Sequence, residues 1–244
     1  MEKILNFQVS LFGEFADFLP GTELVLPVVE NLRDEGFVPA TVVTSMVDST
    51  KKQVITEPRL LLEKTDHKWQ IVFLAGRIDI NYVYPGGEPY FASIEEIMKE
   101  ERRLGNLVFG QLHNLKGSRI AVNGHFLLHD LTIAEKQKFI KRFTIIPKIY
   151  KDNPVTEWSI RFNAPTEIEF GDKIEVCNNI IEINDILGID TRTNKTSTRI
   201  AIGLDINTNA DNRESKYTHL DIINFIEKVK LLLVTALGEI EGEI

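Results

Sequence analysis

Apolar and polar residues alternate along several segments of the chain, which is the pattern of strands with one buried face. The first such segment places apolar residues at Leu5, Phe7, Val9 and Leu11, with polar residues between them. Similar segments predict further strands at about 38–47, 54–64, 69–74 and 78–82. In the second half, strands are predicted at about 120–128, 158–162, 179–187 and 200–206, with a hairpin around the two-residue turn Gly171-Asp172.

Four other segments carry helical signals. The first has apolar residues at helical spacing from Leu24 to Leu32 and is followed by Gly36, which suits a left-handed cap. The second begins at the capping box of Ser93 and Glu96 and is predicted to run to about residue 114. The third begins at a capping box of Thr132 and Glu135 and ends near 143, and the last covers about 218–241.

The same order of elements occurs twice. The triplet Asp79-Ile80-Asn81 is repeated as Asp205-Ile206-Asn207, and each copy precedes a polar loop and a long helix. The chain therefore predicts an α+β fold of two pseudo-repeats, 1–116 and 117–244, each with the order strand, helix, several strands, long helix. We expect antiparallel curved sheet or sheets with the helices packed on one face, in one compact unit.

Composition narrows the class of protein. The chain is 43% hydrophobic and 26% charged, which is typical of globular proteins, and it has one cysteine, so no intramolecular disulfide can form. The N-terminal residues lack an apolar signal core, and we expect a cytoplasmic protein. The net charge of −8 disfavours nucleic-acid binding, because phosphate recognition needs a positive surface.

Sequence motifs for common catalytic centres are missing. The chain has no Gly-x-Ser-x-Gly, Walker A, Gly-x-Gly-x-x-Gly or His-Glu-x-x-His pattern, and Cys177 has no second cysteine for a zinc cluster. His125 and His129 are predicted on one strand about 13 Å apart, too far to share a metal ion. These observations favour a non-enzymatic role without cofactor or metal.

Two features suggest a binding surface. Leu231, Leu232, Leu233 and Val234 follow one another in the last helix and point around its whole circumference, so part of the run is predicted to contact a second copy or another protein. The alternative is a helix that lies centrally within the monomer. The segment 136–151 has six basic and no acidic residues, among them Lys138, Lys141 and Arg142, which would suit an acidic partner or only solvate a helix.

Two other functions remain open. A small-molecule-binding protein or enzyme could form a cavity between the sheet and the long helix, with Arg77, Asp79, Tyr82 and Asp205 as pocket groups. The third possibility is nucleic-acid binding through the basic segment 136–151.

The order β-α-β₄-α, given twice, resembles the half-repeats of TATA-binding-protein-like folds, and the long helix on a bent sheet resembles helix-grip proteins. The stretch from Trp69 to Tyr90, with Asp205-Ile206-Asn207 and the segment 217–225, resembles a sporadically distributed, uncharacterised prokaryotic family. Scattered distribution suits mobile-element or defence loci, so this resemblance implies an accessory or antitoxin-like protein and no catalytic residues.

Overall fold

The computed structural model describes residues 3–48, 52–84, 93–112, 114–129, 131–148, 155, 157–190, 195–209 and 211–242. Within these residues the strands are β1 (Lys3–Phe12), β2 (Phe37–Asp48), β3 (Gln53–Lys64), β4 (Trp69–Leu74), β5 (Arg77–Val83), β6 (Arg119–Leu127), β7 (Ser159–Asn163), β8 (Thr166–Phe170), β9 (Lys173–Asp190) and β10 (Lys195–Thr208). The helices are α1 (Leu26–Arg33), α2 (Ile94–Phe109), α3 (Ile133–Phe143) and α4 (His219–Gly242).

The strands form one curved, open antiparallel sheet with the helices on one side, which confirms the predicted α+β class. The order across the sheet is β2-β3-β4-β5-β1-β6-β10-β9-β7, and β8 pairs with the first part of β9. Antiparallel sheets commonly bury one face and leave the other in water. The alternation of apolar and polar residues in each central strand follows from this arrangement.

The core lies between the sheet and the helices. Phe7, Val9 and Leu11 of β1 are fully buried on the helix side, and Ile120 and Val122 of β6 lie in the same layer. Burial of each such side chain is worth about 1.5–3 kcal/mol. The apolar periodicity of the central strands thus stabilises the sheet through its helix-facing side.

The centre of the sheet has a regular register. Val9 of β1 pairs with Ile80 on one side and with Val122 of β6 on the other, and Val122 pairs in turn with Ile206. Ile80 and Ile206, the middle residues of the two Asp-Ile-Asn triplets, therefore each lie one strand away from the Val9–Val122 pair, on opposite sides of it. Two repeats related by an axis between Val9 and Val122 would place the triplets in this way. The duplication itself stays a prediction.

Helices α2 and α4 pack antiparallel to each other. His219 Nε2, at the start of α4, lies 3.0 Å from Asn106 Oδ1, and further along Arg102 forms a 3.3 Å ion pair with Glu227. Gly105 allows the close approach, since an added Cβ atom there would lie 3.1 Å from Ile223 Cδ1. At 1.5 Å per residue, α4 is about 36 Å long and α2 about 24 Å, so the end of α4 extends past the start of α2.

Several predicted boundaries need correction. The strand near 179–187 and the second strand of the Gly171-Asp172 hairpin are one continuous strand, β9, because the polar pair Asn178-Asn179 fits within the sheet. Asn178 donates a hydrogen bond to Asn207 Oδ1 at 3.2 Å. Helix α2 ends at Phe109, and Gly110 caps it, with its N–H donating to the Asn106 carbonyl at 3.1 Å.

Candidate interaction surface on the last helix

The start of α4 is fixed by a hydrogen-bonded cap. The Thr218 backbone N–H and hydroxyl donate to Asp221 Oδ2 at 2.7 and 2.8 Å, and Lys173 donates to Asp221 Oδ1 at 2.9 Å. Burial acts to raise the pKa of Asp221, but the hydrogen bonds from Thr218 and Lys173 outweigh it and hold that pKa below its ordinary value. An ionised carboxylate at this helix start also interacts favourably with the helix dipole.

One face of α4 belongs to the monomer core. Phe225 packs edge-on against Phe170 of β8 with ring centroids 5.1 Å apart. The remaining residues of this face are buried at helical spacing: Ile222, Ile226, Val229, Leu233, Leu237 and Ile240. This apolar face of the helix is therefore covered by the sheet and by α2.

The opposite face of α4 carries exposed leucines. Leu231 is 71% exposed and Leu220 is 66% exposed, whereas the neighbouring Leu233 is 0% exposed. Leu232 and Val234 are half-buried. Leu220 and Leu231 are eleven residues apart, so they lie within about 20° of each other on the helix surface and about 17 Å apart along it. Of the four successive apolar residues, Leu231 is thus the one that water reaches most.

Leu231 borders a groove between α4 and the start of α2. The groove has a volume of about 430 Å³, and it is lined by Glu95, Glu227, Lys228, Lys230, Leu231 and Val234. Its charged groups are two carboxylates and two ammonium groups. We call Leu220, Leu231 and this groove the outer face of α4.

The basic segment 136–151 divides into buried and exposed parts. Lys138, Lys141 and Arg142 are exposed, which fits either of the two predictions, an acidic partner or a solvated helix face. Lys136 instead is buried, and its ammonium group donates to Asp185 Oδ1 at 3.1 Å and to the Thr198 hydroxyl. The last residues of the segment, 149–151, lie outside the described residues.

A second groove lies between the sheet, α3 and the end of α4. Its volume is about 440 Å³, and its lining includes Phe143, Phe162 and Ile181, with Arg142 and Glu239 as charged groups. A cavity between sheet and long helix was expected at Arg77, Asp79, Tyr82 and Asp205, and none of these residues lines this groove.

The four residues proposed as pocket groups occupy different places. Arg77 Nε lies 2.9 Å from Asp79 Oδ2, and the Ser10 hydroxyl donates to Asp79 Oδ1 at 2.6 Å. Burial raises the pKa of Asp79, and the contacts with Ser10 and Arg77 oppose that rise. Tyr82 is buried against Trp69, with ring centroids 5.4 Å apart. Asp205 lies on β10, which is separated from β5 by β1 and β6.

The helix-free face of the sheet carries a row of polar residues, of which only Asp205 was a candidate site residue from the sequence. Gln8 donates to Asn81 Oδ1 at 2.7 Å and lies opposite Asn123, which in turn lies opposite Asp205. The sequence did indicate polar positions on one face of each strand, since polar residues occur there at every second position. It did not indicate the register that aligns these residues across four strands.

Cys177, His125 and His129 do not form a shared catalytic or metal-binding group. Burial raises the pKa of the Cys177 thiol to about 12, so the thiol is protonated at neutral pH and a poor nucleophile. His125 lies on β6, with Nδ1 2.7 Å from Asn6 Oδ1, while His129 lies after the strand instead of on it. Among the described residues, no three His, Cys, Asp or Glu side chains group closely enough to hold a metal ion.

No protein-family model, curated protein or solved structure matches this chain. The resemblances to TATA-binding-protein-like, helix-grip and sporadically distributed prokaryotic proteins therefore remain predictions. Across the residues that the structure describes, no helix has the length and apolar character needed to cross a membrane.

Proposed function

We propose that this protein is a non-catalytic binding protein that associates through the outer face of α4, most simply with a second copy of itself. The observation that carries the proposal is Leu231, which is 71% exposed beside a groove of about 430 Å³ on a helix whose other face is buried. Contiguous exposed apolar surface that is rimmed by polar residues is typical of association sites.

The charges of the groove favour a second copy as the partner. Glu227 and the adjacent Lys228 and Lys230 lie on the same helix, and Glu95 faces them from α2. In a two-fold interface the same patch meets itself, so such a patch must carry both signs of charge to be self-complementary. The balanced charges of this groove satisfy that condition, even though the whole chain has a net charge of −8.

The experiment is a set of matched charged substitutions examined by light scattering and circular dichroism. Leu231→Glu is expected to dissociate the assembly and keep the fold. Leu233→Glu is expected to unfold the chain, because burying an unpaired charge costs several kcal/mol. Ile133→Glu is the control, since Ile133 is 74% exposed on another helix, and it should change neither mass nor fold.

A wild-type monomer at tens of micromolar with no co-purifying protein would contradict the proposal. The second candidate function, binding of a small apolar molecule, would then gain weight. It is favoured by the groove of about 440 Å³ between sheet, α3 and the end of α4, whose floor includes Phe143, Phe162 and Ile181. An accessory role at a mobile-element or defence locus rests on family resemblance and is part of the same proposal.

A further inference from the structure

A polar cleft of about 420 Å³ opens where β1 ends and β6 begins, and it shares no lining residue with the groove on α4. Four segments form it: the end of β1, the turn between β4 and β5, the start of β6 and the loop before α4. Its charged and hydroxyl-bearing lining consists of Arg119, Arg213, Ser118, Ser215 and Glu14.

Hydrogen bonds fix the walls of the cleft. The Ser118 N–H donates to the Phe12 carbonyl at 2.8 Å, and Asn212 Nδ2 donates to the Ser118 carbonyl at 2.9 Å. On the opposite side, the Gly13 N–H donates to the Gly76 carbonyl at 3.0 Å. These bonds join the backbone segments that carry the lining side chains, so the walls of the cleft are formed before any ligand enters, which lowers the entropic cost of binding.

The cleft carries a net positive charge, because its lining has two guanidinium groups and one carboxylate, Glu14. Within the described residues, neither Arg119 nor Arg213 lies within ion-pair distance of a carboxylate, although the protein as a whole has a net charge of −8. The Arg119 guanidinium lies 4.6 Å from the centre of the Phe12 ring, and its Nε is shielded from solvent without an acceptor. A partly dehydrated cation gains more from an anion than a fully hydrated one, because the local dielectric is lower.

We propose that this cleft binds the phosphate group of a small phosphate monoester. Two guanidinium groups and the Ser215 hydroxyl supply donors for several oxygens of a dianion, whereas one arginine would satisfy a carboxylate; the Ser118 hydroxyl already donates to the Phe12 carbonyl at 3.4 Å. Phosphate oxygens suit the forked geometry of arginine particularly well. Glu14 is the carboxylate of the lining, and its charge opposes the anion.

The test is a nuclear magnetic resonance titration of the full chain with inorganic phosphate and with adenosine monophosphate. Both are expected to give saturable shifts of the Gly13, Ser118 and Arg213 amides, whereas adenosine gives none. Arg119→Gln and Arg213→Gln should each weaken binding by about tenfold, the loss expected for one charge-assisted hydrogen bond. Glu14→Gln should strengthen it.

Arg161→Gln is the matched control, because it removes the same charge from an exposed position on β7 and should leave the affinity unchanged. A titration to about 10 mM phosphate would detect even a very weak affinity, so the absence of a saturable shift up to that concentration would overturn the proposal. Equal binding by wild type and both arginine variants would do the same. Tighter binding of an oligonucleotide without terminal phosphates than of adenosine monophosphate would overturn the monoester assignment.

Discussion

At the scale of single residues, Glu101 combines an ionisable group with complete burial. It lies in the middle of α2, is 0% exposed, and neither carboxylate oxygen has a hydrogen-bond partner within the described part of the chain. Burial raises the pKa of Glu101 well above its ordinary value, and the nearby charge of Glu100 adds to the rise. A carboxyl group in such a site is held in its neutral form.

We expect this residue to make stability fall as the pH rises. Below the ordinary pKa of glutamate, both the folded and unfolded states carry the proton, so Glu101 adds no pH dependence. Above it, the unfolded state releases the proton and the folded state keeps it, so the free energy of unfolding falls by about 1.4 kcal/mol per pH unit until the folded pKa is reached.

The measurement is urea unfolding from pH 5 to pH 8. Glu101→Gln should unfold like the wild type at pH 5, be more stable at pH 8 and lose most of the slope. Glu30→Gln, at an exposed position on α1, should keep the slope of the wild type. An unchanged slope in Glu101→Gln would contradict the assignment.

Residue patterns predicted side-chain burial only in part. The sequence identified Leu231 to Val234 as an apolar run that points around the whole helix. Which of the four side chains is covered depends on α2, and α2 lies more than 120 residues earlier in the chain. Lys136 is a similar case, because it lies on a basic segment and looks like a surface lysine. Its burial follows from Asp185 and Thr198, which reach it through the tertiary fold.

At the scale of elements, turns with strong local chemistry were the most predictable. The two-residue turn Gly171-Asp172 was predicted between β8 and β9, and Gly171 has a φ of +61° there. Left-handed backbone costs other residues about 1–2 kcal/mol. Helix ends and long strands were less predictable, since β9 continues through Asn178 and Asn179 only because neighbouring strands supply partners for them.

Glycine substitutions in two hairpin turns test this argument. Gly171→Ala is expected to lower the free energy of unfolding by about 1–2 kcal/mol, because of its positive φ. Gly76→Ala, in the turn between β4 and β5, should change it by less than about 0.5 kcal/mol, since no atom lies within 4 Å of an added Cβ and φ is not positive. Chemical denaturation of both variants gives the comparison, and equal losses would contradict it.

At the scale of the whole molecule, the predicted class and the placement of helices on one side of an antiparallel sheet are confirmed. The two Asp-Ile-Asn triplets also take matching positions beside the paired strands β1 and β6. The sequence predicted the helix that carries the candidate site, but it did not predict which side chains of that helix border a groove. Its groove exists because α4 packs antiparallel to α2, and nothing in either segment alone specifies that pairing.

Association through the outer face of α4 can be measured by hydroxyl-radical footprinting of the wild-type protein over an approximately hundredfold range of concentration. It reports the exposure of Leu231 without altering the chain. Association through the outer face of α4 predicts that labelling of Leu231 falls as the concentration rises, while labelling of the equally exposed Ile133 stays constant. Constant labelling of Leu231, or a parallel decrease at both residues, would contradict the account.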